Sequence, residues 1–410
     1  MGEGREVLSL VRDPRIRLYW SGQFLSAVGS SVWGIALPLL ALRETGSSLS
    51  VAFALLVSII PEALTGPWVG ALADKYSKLT AVVFLDVGRA LLYFIAAFTD
   101  SLARGWLSVS LLLVVAFLEA LLRMWYIGAK AGLLKAFESE GYDLQKLYAL
   151  DRGLQLTARI VGWIAGGLVV SGLGTVAALL LNGLSFALAA AMSALARLPL
   201  GTSSQQQEAT QWQLAVEGFR YLKRTPEALR PIAMMATLNL LIPAYAFGLP
   251  ILAQEFWGGA RDLGLAFAAF AGGGVIASIV LGKGKSRRFQ DSLIWGAIAI
   301  AGGLTVAVAN VPSAIGIFLV ATVGLISDTV AILVNARVLE VTDGAYVGRV
   351  SVLSSVANRV TSSLVILSLG ITIPPAEIRH AMSGLGMSIG VLSLIAMTRA
   401  TLIARSCSYR

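Results

Sequence analysis

The chain is dominated by a series of about twelve apolar segments, each long enough to cross a lipid bilayer. Of its 410 residues 57% are hydrophobic and only 13% are charged, whereas soluble domains carry roughly 25% charged residues. Lipid offers no partner for an unpaired backbone group, so each segment is predicted to be an α-helix. The predicted spans are 17–42, 47–73, 79–99, 106–130, 152–171, 174–197, 229–254, 263–282, 291–310, 313–336, 349–371 and 382–404.

Positive charge is distributed very unevenly over the loops that these spans define. The chain has 32 Lys and Arg residues and a net charge of +9. Most of them lie in the N-terminal tail, the even-numbered loops and the C-terminal tail, and only Arg43, Arg104, Arg261 and Arg379 lie in the odd-numbered loops. This is the positive-inside pattern, and it predicts a multi-pass protein of the cell (inner) membrane with both termini in the cytoplasm. The basic charge therefore orients the protein and does not indicate binding to nucleic acid.

Sequence features recur at a constant offset of 212 residues. Residues 12–14 match 224–226, and LPLLA at 37–41 matches LPILA at 249–253. The chain is therefore predicted to be all-α, with two parallel six-helix repeats at 1–198 and 229–410. Residues 199–228 would be a cytoplasmic linker carrying an amphipathic helix at 212–224. Parallel repeats are a known transporter architecture in which the substrate binds near the membrane midplane.

Several stretches resemble one transporter family. The segment GALADKYSK at 70–78 is similar to the loop motif between helices 2 and 3 of the major facilitator superfamily. The residues that precede and form the first span, the segment DVGRA at 86–90 and the segment at 348–350 resemble its prokaryotic exporters, which include enterobactin and macrolide efflux proteins. The resemblance implies twelve helices and secondary transport. Trp163 stands where the antiporter motif of the family usually has proline, so the mode of coupling stays open.

The same loop motif implies a conformational latch formed by Gly70, Asp74, Lys75 and Lys78. Glycine would allow close helix packing, and the aspartate would accept hydrogen bonds from the N-terminus of the eleventh helix. Breaking these contacts would accompany opening to the cytoplasm. The alternative is that the charged residues only mark a solvated loop.

Each ionisable residue inside a span is predicted to have a structural or functional role, because placing its charge at bilayer depth costs at least ~2.5 kcal/mol of free energy. Desolvation favours the neutral form of a carboxylate, as a proton-coupled cycle requires. The alternative is a set of static ion pairs that hold helices in register, which is favoured for Asp86 and Arg89. Glu119 and Arg123 are four residues apart and could pair. The candidates for proton coupling are Glu62, Glu119 and Asp328, modulated by Arg123 or Arg159.

Some residues inside the spans are predicted to line a cavity or to mediate helix contacts. The cavity candidates are Gln23, Asn239, Tyr245 and Asn335, each of which could instead form an interhelical hydrogen bond. Gly162 and Gly166 have the spacing of a close helix contact.

The sequence contains no motif for ATP hydrolysis or zinc binding. We therefore expect no enzyme activity, no cofactor and no metal site. The predicted function is proton-driven export of amphipathic or drug-like small molecules by a monomer that contacts substrate, protons and the lipid bilayer. The alternatives are an importer or facilitator of a metabolite or lysolipid, and a non-transporting membrane receptor.

Overall fold

The structure, a computed structural model, describes residues 13–64, 77–102, 104–139, 142–196, 211–225, 229–283, 291–344 and 346–408. Within these ranges the chain is helical and contains no β-strand. The α-helices are α1 Pro14–Thr45, α2 Ser48–Leu64, α3 Lys78–Leu102, α4 Gly105–Ser139, α5 Leu144–Leu195, α6 Gln211–Arg224, α7 Leu229–Leu238, α8 Leu241–Phe256, α9 Ala260–Lys283, α10 Asp291–Asn310, α11 Ser313–Val341, α12 Val347–Thr372 and α13 Ile378–Ser408.

Ten helices in the described ranges are long and apolar enough to cross a membrane, and Ser48–Ile59 is a shorter apolar helix. The difference from the twelve predicted spans has two causes: the described apolar stretch of α2 is short, and spans five and six are joined in α5, a helix of 52 residues. Such a helix is about 78 Å long, more than twice the thickness of the hydrocarbon core. Gly174 interrupts it with φ 82° and ψ −179°, a conformation open essentially only to glycine. The break divides α5 into a first arm and a second arm, which correspond to predicted spans five and six.

Contacts divide the chain into two compact units. The N-terminal bundle comprises the described residues of Met1–Gly46 and Phe53–Thr210. The C-terminal bundle comprises those of Gln211–Arg410 together with Ser47–Ala52. The amphipathic helix α6 belongs to the C-terminal bundle.

In the N-terminal bundle, α1 packs closely against both arms of α5. A Cβ atom on Gly162 would lie 2.5 Å from the Ser31 Cβ and 2.6 Å from the Val28 carbonyl oxygen. On the second arm, Ser185 occupies the space beside Gly29 of α1. The close contact predicted at Gly162 is therefore confirmed, with α1 as the partner.

The start of α1 is tied to the start of α5. Asp13 caps α1 by accepting a hydrogen bond from the Arg15 backbone N–H at 2.8 Å, and the Tyr142 hydroxyl donates to it at 2.7 Å. Partial burial opposes the charge on Asp13, but the hydrogen bonds from Tyr142 and Arg15 outweigh it and lower its pKa to about 2. The carboxylate is therefore charged at neutral pH.

In the C-terminal bundle, α6 is docked on the beginning of α12. Arg349 Nε lies 2.6 Å from Glu217 Oε2, and the Tyr221 ring stacks on Tyr346 with centroids 4.5 Å apart. The Tyr221 hydroxyl also accepts a hydrogen bond from the Asp343 backbone N–H at 2.9 Å. The linker helix thus has specific partners at the end of a long apolar helix.

Candidate functional site

The interior of the N-terminal bundle contains a buried arginine between two carboxylates. Arg89 of α3 donates to Glu119 Oε1 of α4 from Nη2 at 2.6 Å and from Nε at 3.1 Å. Its Nη1 lies 3.5 Å from Asp86 Oδ1, one turn earlier on α3. The guanidinium also lies 3.8 Å from the centre of the Phe186 ring on the second arm of α5. These contacts fix the orientation of the arginine and direct its best hydrogen bonds to Glu119.

Asp86 is left with weaker contacts than Glu119. It is fully buried, and neither carboxylate oxygen accepts a hydrogen bond from a described residue. The side chain of Gln23 lies nearby, and its amide oxygen accepts a hydrogen bond from the Tyr126 hydroxyl. The predicted pair of Asp86 and Arg89 is present, but the pair is one part of a three-helix polar cluster.

A second buried ion pair joins α4 to α5. Lys130 Nζ lies 2.6 Å from Asp151 Oδ1, and Gln155 Nε2 donates to the other oxygen at 3.0 Å. All three side chains lie inside the N-terminal bundle or at its edge. Both charges are therefore matched within the bundle.

The predicted partnership of Glu119 and Arg123 is wrong. Although the two residues are one turn apart on α4, Glu119 is directed at α3, where Arg89 binds it. Arg123 instead donates from Nη2 to the Ser58 carbonyl oxygen of α2 at 3.0 Å. Glu119 therefore has a close ion-pair partner on α3, and its place among the proton-coupling candidates stays a prediction.

Arg159 of α5, the other arginine proposed to modulate a carboxylate, has cationic neighbours instead. Its side chain is exposed, and the positive charges of Arg152 and Arg123 act on it. No described carboxylate forms an ion pair with Arg159 or Arg152.

In the C-terminal bundle, Asp328 is a carboxylate at the centre of α11. It is half-buried and has no hydrogen bond or ion pair with any residue that the structure describes. Its carboxylate lies directly against Gly274 of α9, where no Cβ atom would fit. The glycine therefore creates the space that the acidic side chain occupies.

The cavity candidates fall into different environments. Tyr245 is 3% exposed, and its hydroxyl lies 3.1 Å from Thr305 Oγ1, so it joins α8 to α10 and does not line an open space. Gln23 is buried in the polar cluster described above. Asn239 is half-buried at the turn between α7 and α8, and Asn335 is exposed on α11. Of the four, only Asn335 is freely accessible in its bundle.

Of the predicted latch residues, Lys78 is the one that lies in the described part of the chain. Lys78 begins α3 and is 3% exposed, with its aliphatic stem 3.0 Å from the position of a Cβ atom on Gly132 of α4. It is therefore packed against a helix and is not a solvated loop residue. Glu62 lies in α2, but its side chain is outside the described part of the chain, as are the remaining latch residues Gly70, Asp74 and Lys75.

A family model matches most of the chain. The family model described as Major Facilitator Superfamily matches residues 19–366. The chain belongs to this superfamily. The ten membrane-length helices of the described ranges agree with a multi-pass membrane protein of this family.

Among relatives in this superfamily, macrolide efflux protein A of Streptococcus pyogenes is 23% identical over 271 residues, covering 64% of this chain and 65% of that protein. An uncharacterised MFS-type transporter of Bacillus subtilis, YfiS, is 24% identical over 282 residues, covering 67% and 64%. The matched segment spans just under two thirds of the length of either relative.

Solved structures of transporters share the fold. A bacterial homologue of the iron transporter ferroportin in an inward-facing state has a TM-score of 0.66 at 18% identity, covering 94% of this chain and 98% of that one. The nucleoside transporter NupG has a TM-score of 0.65 at 15% identity, covering 93% and 99%. At this identity the likeness concerns the fold alone.

The sequence analysis did not predict several polar residues of the N-terminal bundle. Tyr126 and Lys130 continue the stripe begun by Glu119 and Arg123 on α4, at spacings of three or four residues. That stripe was a usable signal for a polar helix face. The contact of Gly274 with Asp328 had no such signal, because it depends on how α9 and α11 pack.

Proposed function

We propose that the chain is a proton-coupled exporter of amphipathic or drug-like small molecules. It would act as a monomer in the inner membrane, with cytoplasmic termini, and transport by alternating access. The observation that carries the proposal is Asp328, a carboxylate at the centre of a membrane-length helix with no partner among the described residues. Such a group costs at least ~2.5 kcal/mol when charged, and binding a proton removes that cost. A transport cycle in which Asp328 binds and releases a proton would therefore explain why a carboxylate lies at this position.

Support for export comes from a relative and not from the fold. The name of macrolide efflux protein A states an efflux activity for that protein, whereas the structural neighbours include a nucleoside transporter and a ferroportin homologue. Glu62 remains a second candidate for proton binding, and Gly70, Asp74, Lys75 and Lys78 remain the proposed latch, on the strength of the sequence. Import or facilitated diffusion of a metabolite is the alternative on the same fold.

The test is gradient-driven flux in reconstituted vesicles. Full-length protein is incorporated into liposomes, and movement of a fluorescent amphipathic dye is followed with and without an imposed pH gradient. Asp328→Asn should abolish the gradient-dependent part of the flux, because asparagine cannot release a proton. Gly274→Ala should impair it too, since the new methyl group displaces the carboxylate. Glu340→Gln, at the exposed end of the same helix, serves as the matched control.

The outcomes separate the alternatives. Wild-type coupling in Asp328→Asn would remove this residue from the proton path. Dye flux that is insensitive to the gradient in the wild type would contradict proton coupling and favour a facilitator. Accumulation in the direction of proton flow would favour an importer.

A further inference from the structure

We propose that the exposed face of α6 is a binding surface for the headgroups of anionic phospholipids. The face consists of Phe219, Arg220, Lys223 and Arg224. Its partner is the phosphate of a lipid with a net negative charge, such as phosphatidylglycerol. The inference concerns the linker helix and depends neither on proton coupling nor on the direction of transport.

The position of α6 follows from the helices that it touches. Leu222 of α6 and Val350 of α12 form one buried apolar cluster, against which Val338 and Val341 of α11 and Ile232 of α7 pack. Both α11 and α12 are apolar enough to cross a membrane. They have 29 and 26 residues, so each is about 40 Å long, close to the thickness of a bilayer with its headgroup layers. The contacts at their ends therefore hold α6 at the level of the membrane surface.

One face of α6 is used in docking on the C-terminal bundle. Tyr221 and Leu222 pack on the bundle, and Glu217 is paired with Arg349 at 2.6 Å. Glu217 is also the only acidic residue in the sequence of α6. The docked face therefore holds the single negative charge of this helix, and the rest of its surface has none.

A second face of α6 is exposed and combines an aromatic ring with three cations. The side chains of Phe219, Arg220, Lys223 and Arg224 are all exposed. Their positions, i, i+1, i+4 and i+5, form one continuous strip about 140° wide at 100° per residue. Lys223 Nζ lies 4.8 Å from the centre of the Phe219 ring, so the apolar and cationic groups are side by side. A helix that lies in the bilayer interface has this combination of groups.

The charge of the exposed face selects the kind of lipid. Arg220, Lys223 and Arg224 place three positive charges on the strip. Cations at the membrane surface attract lipids with negative headgroups, and arginine binds a phosphate through paired donors. The phosphate of phosphatidylcholine already carries a cationic choline group. An anionic lipid therefore fits the face better than a zwitterionic one.

The test measures which lipids lie beside Phe219. Full-length Phe219→Cys protein, in which Cys407→Ser removes the sole native cysteine, is labelled with the fluorophore NBD. It is placed in phosphatidylcholine nanodiscs that contain equal fractions of doxyl-labelled phosphatidylglycerol or doxyl-labelled phosphatidylcholine. We expect the phosphatidylglycerol to quench the label about twofold more, because the cations enrich it at this face. Both faces of a nanodisc contain the same lipids, so the result does not depend on the orientation of the protein.

Neutralising the cations tests their part in the selection. In the labelled protein, the combination of Arg220→Gln, Lys223→Gln and Arg224→Gln should make the two doxyl lipids quench equally. The matched control removes three exposed arginines outside α6 and should keep the preference; it combines Arg43→Gln, Arg104→Gln and Arg261→Gln.

Three results would overturn the proposal. Weak quenching by both lipids would mean that the face is in contact with water. Strong but equal quenching would mean that α6 touches lipid without selecting its headgroup. Loss of the preference in the control variant would mean that the total charge of the protein attracts the lipid. None of these measurements involves transport, so their outcome is separate from the test of the proposed function.

Discussion

At the scale of single residues, Arg89 is the main source of positive charge in the buried cluster of the N-terminal bundle. Its guanidinium neutralises Glu119 through two hydrogen bonds and approaches Asp86 at 3.5 Å. A buried ion pair adds little net stability compared with an apolar substitute, but removing one partner leaves an uncompensated charge. The cluster is therefore most sensitive to loss of the residue that serves both acids.

Arg89→Gln is expected to destabilise the protein strongly, by about 3–5 kcal/mol, because both carboxylates lose their cation. Glu119→Gln should cost less, since Arg89 can still pair with Asp86. Thermal unfolding in detergent, followed by the loss of monodisperse protein, measures the order of the two effects. An equal effect of the two variants would mean that Asp86 does not compensate the arginine.

The sequence identified which residues carry charge inside the membrane but not how they pair. Helical spacing made Arg123 a possible partner of Glu119, whereas the actual partner lies 30 residues away on α3. Spacing along one helix cannot report a contact that depends on how two helices pack. For the same reason Tyr245 was proposed for a cavity, while the structure places it against Thr305.

At the scale of helices, the contact between α1 and the first arm of α5 depends on glycine. Gly162→Ala would place a methyl group 2.5 Å from the Ser31 Cβ, so the helices must separate. We expect a loss of about 1–3 kcal/mol in stability, measured as a lower thermal midpoint. Gly172→Ala is the control, because a Cβ atom there meets nothing within 4 Å. A midpoint unchanged in Gly162→Ala would show that the contact is looser than described.

The linker helix α6 should be held by Tyr221. Tyr221→Ala removes both the stack on Tyr346 and the hydrogen bond from Asp343, so trypsin should cleave faster after Lys223 and Arg224. Phe219→Ala, at a 53% exposed side chain, is the control for cleavage after Arg224, since the Phe219 ring contacts Lys223. If cleavage rates were equal in the two variants, the docking of α6 would not depend on the tyrosine.

The existence of these elements was easier to predict than their arrangement. Apolar length predicted a span on each side of Gly174, and helical spacing predicted a helix at 212–224, where α6 runs from Gln211 to Arg224. The choice of α12 as the partner of α6 could not be predicted. It depends on the Leu222 side chain meeting Val350, more than a hundred residues later.

At the scale of the whole molecule, the family and the membrane fold followed from composition, the repeat and the loop motif. The substrate did not, because an apolar binding surface has no fixed spacing of residues. The orientation predicted from the loop charges can be measured directly, since Cys407 is the sole cysteine of the sequence.

A membrane-impermeant maleimide should label Cys407 in inside-out vesicles and not in right-side-out vesicles, because the excess of Lys and Arg retains the tail in the cytoplasm. A Cys407→Ser variant that also carries Arg104→Cys should show the opposite pattern. Labelling of Cys407 from the outside would contradict the predicted topology.

The break at Gly174 has a consequence for biogenesis. Because the two arms of α5 are joined at a single residue, no hydrophilic loop lies between them for the translocation machinery to move across the bilayer. The nascent arms on either side of it would therefore enter the lipid together, as a preassembled hairpin. Any side chain at this position would strain the turn at the moment of insertion, before the rest of the protein exists to compensate.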